Sequence, residues 1–297
     1  MDKREKIAVD LGYGDTKVCT EKGCFKFPSA VEWLGESISD FGGGEDDIFL
    51  FNGKEYRVGE KAAKPVSTRS FGFLVNYAPL LVYAAIKRAG IDPDRPVDLV
   101  VGLSIANWGD RDRFLKSIET ICIDNVILRP QITLMAQGQG VFIDYEGDKG
   151  GLVCVCDIGF NTFDFLVFDN KTPDKKLSFA TDQGANMIIT RIQSLIQKRY
   201  NHPISEQEAK TIFVDGGFRN FGDWVDLGDM IRELKSEYSK FILSELRSRR
   251  NDTLRRADKV IFSGGGAWFL ADTDLPGNVV FSGKPYEFAN VRGYYRG

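Results

Sequence analysis

Ile7-Ala-Val-Asp-Leu-Gly-Tyr-Gly-Asp-Thr-Lys-Val18 and Val153-Cys-Val-Cys-Asp-Ile-Gly-Phe-Asn-Thr-Phe-Asp-Phe165 carry one pattern twice. Each runs apolar strand, aspartate, apolar residue, glycine, aromatic, then glycine or asparagine. In register, Asp10 falls on Asp157, Gly12 on Gly159, Tyr13 on Phe160 and Gly14 on Asn161. A carboxylate at a strand's end, followed by residues that tolerate left-handed backbone, lets amides approach a phosphate while the acid faces its metal. One copy in each half of the chain predicts two related domains closing on one nucleotide.

The residues after each turn narrow the fold. Lys17-Val-Cys-Thr-Glu-Lys-Gly-Cys-Phe-Lys-Phe27 alternates and turns at Gly23, which reads as two further antiparallel strands. A dinucleotide-binding Rossmann unit is thereby excluded, because its glycine turn must open a helix. No GxxxxGK[ST] occurs, so there is no Walker loop either. A hairpin is expected over 48–58 around Asn52-Gly53. Helices are expected over 77–89, 110–120 and 132–142, with strands over 97–104 and 126–129. In the second half, 186–200 and 205–213 read as helices, Ser205 and Glu208 forming a capping box. Trp224, Leu227, Ile231, Leu234, Tyr238, Phe241, Ile242 and Leu246 recur at three or four residues and predict one long amphipathic helix. The buried strand 259–262 then runs into Gly264, Gly265, Gly266 and Ala267, where bare backbone suits a flat ring such as adenine. The halves meet near 145–150, giving domains 1–146 and 147–297; a return of the extreme C-terminus to the first domain is left open.

Bulk composition excludes several classes. With 39 basic and 42 acidic side chains the net charge is -3, so nothing advertises direct nucleic acid as the main partner or an anionic membrane. No apolar run approaches the roughly 18 residues that span a bilayer, and the N-terminus enters a strand without a signal-peptide core, so a cytoplasmic location is expected. The five cysteines are expected to be structural thiols, although Cys19 and Cys24 flank a turn and could face each other across a hairpin. His202 is the sole histidine, which argues against a zinc site and any histidine-dependent triad.

Taken in order, turn, turn and triple glycine resemble the actin, DnaK-chaperone and sugar-kinase superfamily of ATPases. Within it the chain is most similar to ParM-like actins of plasmid segregation and archaeal actin-like proteins. Five features carry the resemblance: Asp10 to Lys17, the 52–60 hairpin, Val100-Val-Gly-Leu103, Ser263 to Ala267, and the tail Pro285-Tyr-Glu-Phe-Ala-Asn-Val-Arg-Gly293. The resemblance implies an α/β fold of two RNase H-like domains, each a mixed five-stranded sheet flanked by helices, with nucleotide in the cleft between them. It implies ATP or ADP with Mg²⁺, the metal held by Asp10 and Asp157 through its waters. Lys17 would neutralise charge on the β- and γ-phosphates, while amides of Gly12, Tyr13, Gly14, Asp15 and Thr16 and of Gly159, Phe160, Asn161 and Thr162 clamp them. Gln131 would orient the attacking water, with Gln137 and Gln139 as alternatives. Gly184 and Asn186 would meet ribose or phosphate, and Lys210 the adenine or ribose.

Three residues depart from the family pattern. Tyr13 stands where many actins place a small hydroxyl residue, Ser104 replaces a proline, and Asp15 adds charge beside a phosphate turn. The expected function is an ATPase that polymerises into dynamic filaments, self being its partner and a DNA-bound adaptor a second one. The alternatives are a sugar-type kinase of the same superfamily and a nucleotide-gated scaffold without turnover. The basic run Arg247 to Arg256 suits the end of a helix, or a subunit contact opposed by the acidic loop 42–47.

Overall fold

The computed structural model describes residues 4–35, 47–62, 66, 70–271 and 275–297. The chain divides into two compact units, Met1–Asp148 with Ser282–Gly297, and Lys149–Phe281.

The first unit contains β1 (Glu5–Leu11), β2 (Asp15–Thr20), β3 (Gly23–Pro28), β4 (Val31–Trp33), β5 (Ile48–Phe51), β6 (Lys54–Val58), α1 (Phe71–Arg88), β7 (Val97–Leu103), α2 (Arg111–Ile118), β8 (Ile121–Ile123), β9 (Val126–Leu128), β10 (Gln131–Ala136) and α3 (Gln139–Asp144). Its main sheet runs β10-β7-β1-β2-β3, and a second sheet runs β4-β6-β5-β8-β9. Strand periodicity splits β1 between two cores. Ile7, Val9 and Leu11 pack with the buried face of α1, including Leu80, Leu81 and Tyr83. Ala8 faces the other way, with Val100, Met135, Val291 and Tyr294. Such strands read as near-continuous apolar runs because both faces are covered.

The C-terminal helix Ala289–Arg296 belongs to this unit. It lies so close to α3 that a Cβ on Gly140 would come within 2.8 Å of the Asn290 Cα. Asp144, 4% exposed, anchors it: Arg292 Nη2 donates to Asp144 Oδ2 at 2.7 Å, and Arg296 Nη1 lies 2.9 Å from Oδ1. Asp144→Ala removes the carboxylate that both guanidinium groups share, leaving Arg292 its bonds to Gly283 O and Pro285 O and Arg296 its bond to the Asp144 carbonyl, and is expected to cost about 2 kcal/mol. Asp144→Asn, which keeps one acceptor oxygen, should cost less; urea unfolding of the two variants measures the difference.

The second unit contains β11 (Leu152–Ile158), β12 (Phe163–Asp169), β13 (Thr172–Thr181), α4 (Asn186–Tyr200), α5 (Glu206–Asp215), β14 (Gly217–Asn220), β15 (Asp223–Asp226), α6 (Gly228–Arg256), β16 (Lys259–Ser263) and β17 (Val279–Phe281). Its sheet runs β13-β12-β11-β16-β17. The two main sheets therefore share one plan. In each, the strand of the repeated motif is central, two antiparallel strands follow on one side and two parallel strands lie on the other. The repeat in sequence is a repeat in topology.

Three expectations fail locally. The helix over 132–142 is instead strand β10 followed by short α3. Ile132 and Leu134 alternate with exposed Gln131 and Thr133, and parallel pairing with β7 satisfies the backbone. Gly138 then breaks the strand at φ 84°. The helix expected from Trp224 begins only at Gly228. Trp224 lies in the β14–β15 hairpin, and Asp226 Oδ1 accepts from Gly228 N at 2.8 Å where the helix opens. Last, Cys19 and Cys24 are directly opposed across β2–β3 and joined as a disulfide rather than left as thiols. Cys154 and Cys156 are free and buried; burial alone pushes the Cys154 thiol up to about 12, so it stays protonated and inert. The expected acidic loop lies outside the described residues except for Asp47, which pairs with Arg88 Nη2 at 2.7 Å.

Candidate functional site

In the first unit the chemistry gathers at the C-terminal end of β1. Hairpin pairing sets Asp10 opposite Lys17, whose Nζ lies 3.3 Å from Asp10 Oδ2. The carboxylate is buried, at 3% exposure, so its charge needs such a partner. Gln137, just past β10, donates its Nε2 to Asp10 Oδ1 at 3.0 Å. That bond leaves the amide oxygen of Gln137 as an acceptor. Gly12, Tyr13 and Gly14 form the turn. A Cβ on Gly12 would lie 2.7 Å from the Asp15 carbonyl oxygen and 3.1 Å from Lys17 Nζ, so the turn admits only glycine there.

Ser29 braces this turn from below. Its hydroxyl donates to the Gly12 carbonyl at 2.6 Å and lies 2.8 Å from the buried Thr16 hydroxyl. Asn107 Nδ2 reaches the Tyr13 hydroxyl at 3.5 Å. Asp15 lies 3.6 Å from Lys26 on β3, which accounts for an acid beside the turn. Ser104 follows β7 and its hydroxyl accepts from Ala106 N at 3.2 Å, opening the next helical turn. Gly138 N donates to the buried Asn290 Oδ1 at 2.8 Å, which ties the C-terminal helix to the segment carrying Gln137.

The second unit repeats the arrangement without the lysine. Asp157, 5% exposed, lies opposite Asp164 on β12 and Ser263 on β16. Gly159, Phe160, Asn161 and Thr162 form the turn, closed by Gly159 N to Thr162 O at 2.9 Å. The segment entering α4 clasps it. Gly184 N donates to Asn161 O at 3.1 Å, Asn186 N to Phe160 O at 2.8 Å, and Asn186 Nδ2 to Asn161 Oδ1 at 2.8 Å. Gly264 adopts φ 81°, and a Cβ there would lie 2.6 Å from Asp157 Oδ1. Gly264 thus runs directly beside the acid, and Gly266 lies against Ile158, the next residue of β11. On α5, Lys210 Nζ lies 4.1 Å from the centre of the Phe160 ring and 3.0 Å from Glu206.

An acid, a glycine turn and a clasping segment recur at equivalent strand ends, and the sequence matches follow the same division. Residues 8–129 match the N-terminal domain model of actin-like proteins, and residues 155–273 match the C-terminal model of the archaeal MreB-like actin homologue. The chain is an actin-like protein.

Solved structures agree in fold across the whole of this actin-like protein. It aligns with a ParM from Clostridium botulinum, solved as a 15-stranded filament, at a TM-score of 0.80 and 22% identity, covering 99% of this chain and 98% of that one. An archaeal actin homologue in complex with ADP aligns at 0.78 and 20% identity, covering 98% of each chain. ParM from Bacillus thuringiensis with ADP aligns at 0.69 and 17% identity, covering 99% of this chain and 98% of that one. No curated protein matches the chain in sequence.

Gln131, expected to orient the attacking water, is not brought to Asp10. In this actin-like protein it begins β10 and pairs in register with Asp98, which itself lies opposite Lys6. It is exposed at the far end of the strand from Asp10. Gln137, held as an alternative, is the glutamine that touches the acid. Ser29 and Asn107 lie in no motif, and Asn290 sits in the tail motif with no role that the sequence alone assigns; the fold brings Ser29 and Asn107 to the turn and Asn290 to Gly138.

Proposed function

We propose that this actin-like protein binds and hydrolyses ATP with Mg²⁺ and polymerises into dynamic filaments. The observation that carries the reading is the paired acid turn, Asp10 and Asp157 at equivalent ends of two like-ordered sheets. Amides of 12–16 and 159–162 bind the phosphates, Lys17 offsets their charge, and the backbone of 264–267 takes the adenine, with Lys210, Gly184 and Asn186 nearby.

The residues fit a hydrated Mg²⁺. The first turn offers the buried carboxylate of Asp10 and the second those of Asp157 and its cross-strand neighbour Asp164, and no group of three acidic, cysteine or histidine side chains that could cage a metal occurs among the described residues. Both oxygens of Asp10 already accept bonds, so it would reach the ion through water, as Mg²⁺ prefers. When bound, the ion supplies charge stabilisation to the phosphates. Gln137 orients the attacking water; an amide is no base, so turnover is slow.

Nucleotide favours assembly and hydrolysis weakens it. The likeness to a ParM solved as a filament supports polymerisation, and net acidity supports reaching DNA cargo through an adaptor protein rather than directly. No helix among the described residues is long and apolar enough to cross a membrane. Electron microscopy and pelleting with ATP-Mg²⁺ test the reading: filaments and a turnover rate that climbs above a critical protein concentration are expected. A chain that stays monomeric at tens of micromolar with ATP overturns it.

A further inference from the structure

Phe221 stands at the tip of the β14–β15 hairpin and is fully exposed, at 103%. Its turn partner is Gly222, and the two residues have φ of 49° and 96°. A two-residue hairpin turn of this type calls for asparagine, aspartate or glycine at its first position. A phenylalanine there costs about 1 kcal/mol of backbone strain, and its ring is left in water. Such a side chain stabilises nothing in its own unit. Asp223 follows the turn and Asp226 and Asp215 stand at the hairpin's base, all three exposed, as is Trp224, at 53%; the exposed Arg219 turns its guanidinium back to donate to Gly222 O at 3.0 Å, so the hairpin as a whole stays acidic.

The same unit carries a groove of opposite character. The C-terminal part of α6, with β16 and β17, encloses about 430 Å³. Leu243, Leu254, Ala257, Pro276 and Val279 line it, and the exposed Arg247 and Arg255 rim it. α6 departs from helical geometry at Arg250 (φ -143°, ψ 31°), where the guanidinium turns to donate to Leu177 O at 2.6 Å. An apolar cavity of roughly 150 Å³ already accepts a benzene ring, so the groove has room for a phenyl group.

We propose that Phe221 of one copy seats in the Arg247- and Arg255-rimmed groove of the next copy, with the hairpin aspartates facing the two arginines. Knob and groove lie in one unit and the knob is unburied, so the pair is completed only between copies. A contact of this kind uses two different patches and repeats head to tail, which yields an open filament rather than a closed dimer. The proposal rests on the filament reading above and names the surfaces that reading requires.

Pelleting and light scattering of the full chain with ATP-Mg²⁺ test it. Phe221→Asn puts a turn-favouring residue at the strained position, so thermal unfolding should shift upward while the critical concentration for assembly rises about thirtyfold or more. Misfolding would move stability the other way. The paired charge reversal Arg247→Glu with Arg255→Glu should raise the critical concentration by a similar factor, with binding of a fluorescent ATP analogue unchanged. Wild type that assembles while Phe221→Asn assembles equally well overturns the knob. Loss of assembly in Phe221→Asn alone, with the arginine variant unaffected, overturns the groove. In both cases the filament reading stands, whereas a wild type that never assembles defeats that reading itself.

Discussion

Gln137→Ala should lower ATP turnover about a hundredfold while nucleotide affinity stays within about twofold, and Gln131→Ala should change neither. The asymmetry follows from β10. One glutamine opens the strand at the end marked by Lys6, and the other lies just past its close, with its amide on Asp10. Positioning a water is worth little to the ground state and much to the transition state, so the loss should fall on the rate and not on binding. Single-turnover phosphate release, with affinity measured separately, checks it. If Gln131→Ala slows release as much as Gln137→Ala, the water is not held at Asp10.

Asp157→Asn is expected to reduce turnover about a thousandfold, a larger loss because a charge disappears from beside the phosphates. The isosteric amide keeps the volume next to Gly264, where there is no space for rearrangement, so the fold should survive. A neutral amide holds the waters of a Mg²⁺ ion poorly, and the metal concentration needed for half-maximal activity should rise with it. Turnover measured across a Mg²⁺ series separates the two effects. Unchanged activity would remove Asp157 from the site.

What the sequence discloses and what it hides divide along the distance between partners. The Asn52-Gly53 turn is readable because both residues favour the positive φ they adopt, 50° and 71°. The acid turns are readable because strand, acid and glycine are contiguous, and because they occur twice. The Phe221-Gly222 turn is invisible, since nothing local recommends phenylalanine for left-handed backbone. The helix over 132–142 fails for a related reason: a short apolar run fits either element, and pairing with β7 decides it from more than thirty positions away. Gln137 is hidden most deeply, since its bond to Asp10 spans 127 positions. Of the site, the motif residues are legible and their braces are not.

Ser282–Gly297 packs with the first unit, after the chain has already traversed Lys149–Phe281. During synthesis the second unit is therefore contiguous and can close as soon as it emerges from the ribosome, while the first must wait for Tyr294 to fill its place against Gly102. Val291 and Tyr294 supply one wall of the core around Ala8 and Val100, so a nascent chain lacking them holds an unfinished sheet beside Asp10. The first acid turn is therefore completed only after the whole of the second unit has been made, and a nascent chain still lacking Val291 and Tyr294 is a poor recruit to any assembly that depends on that turn.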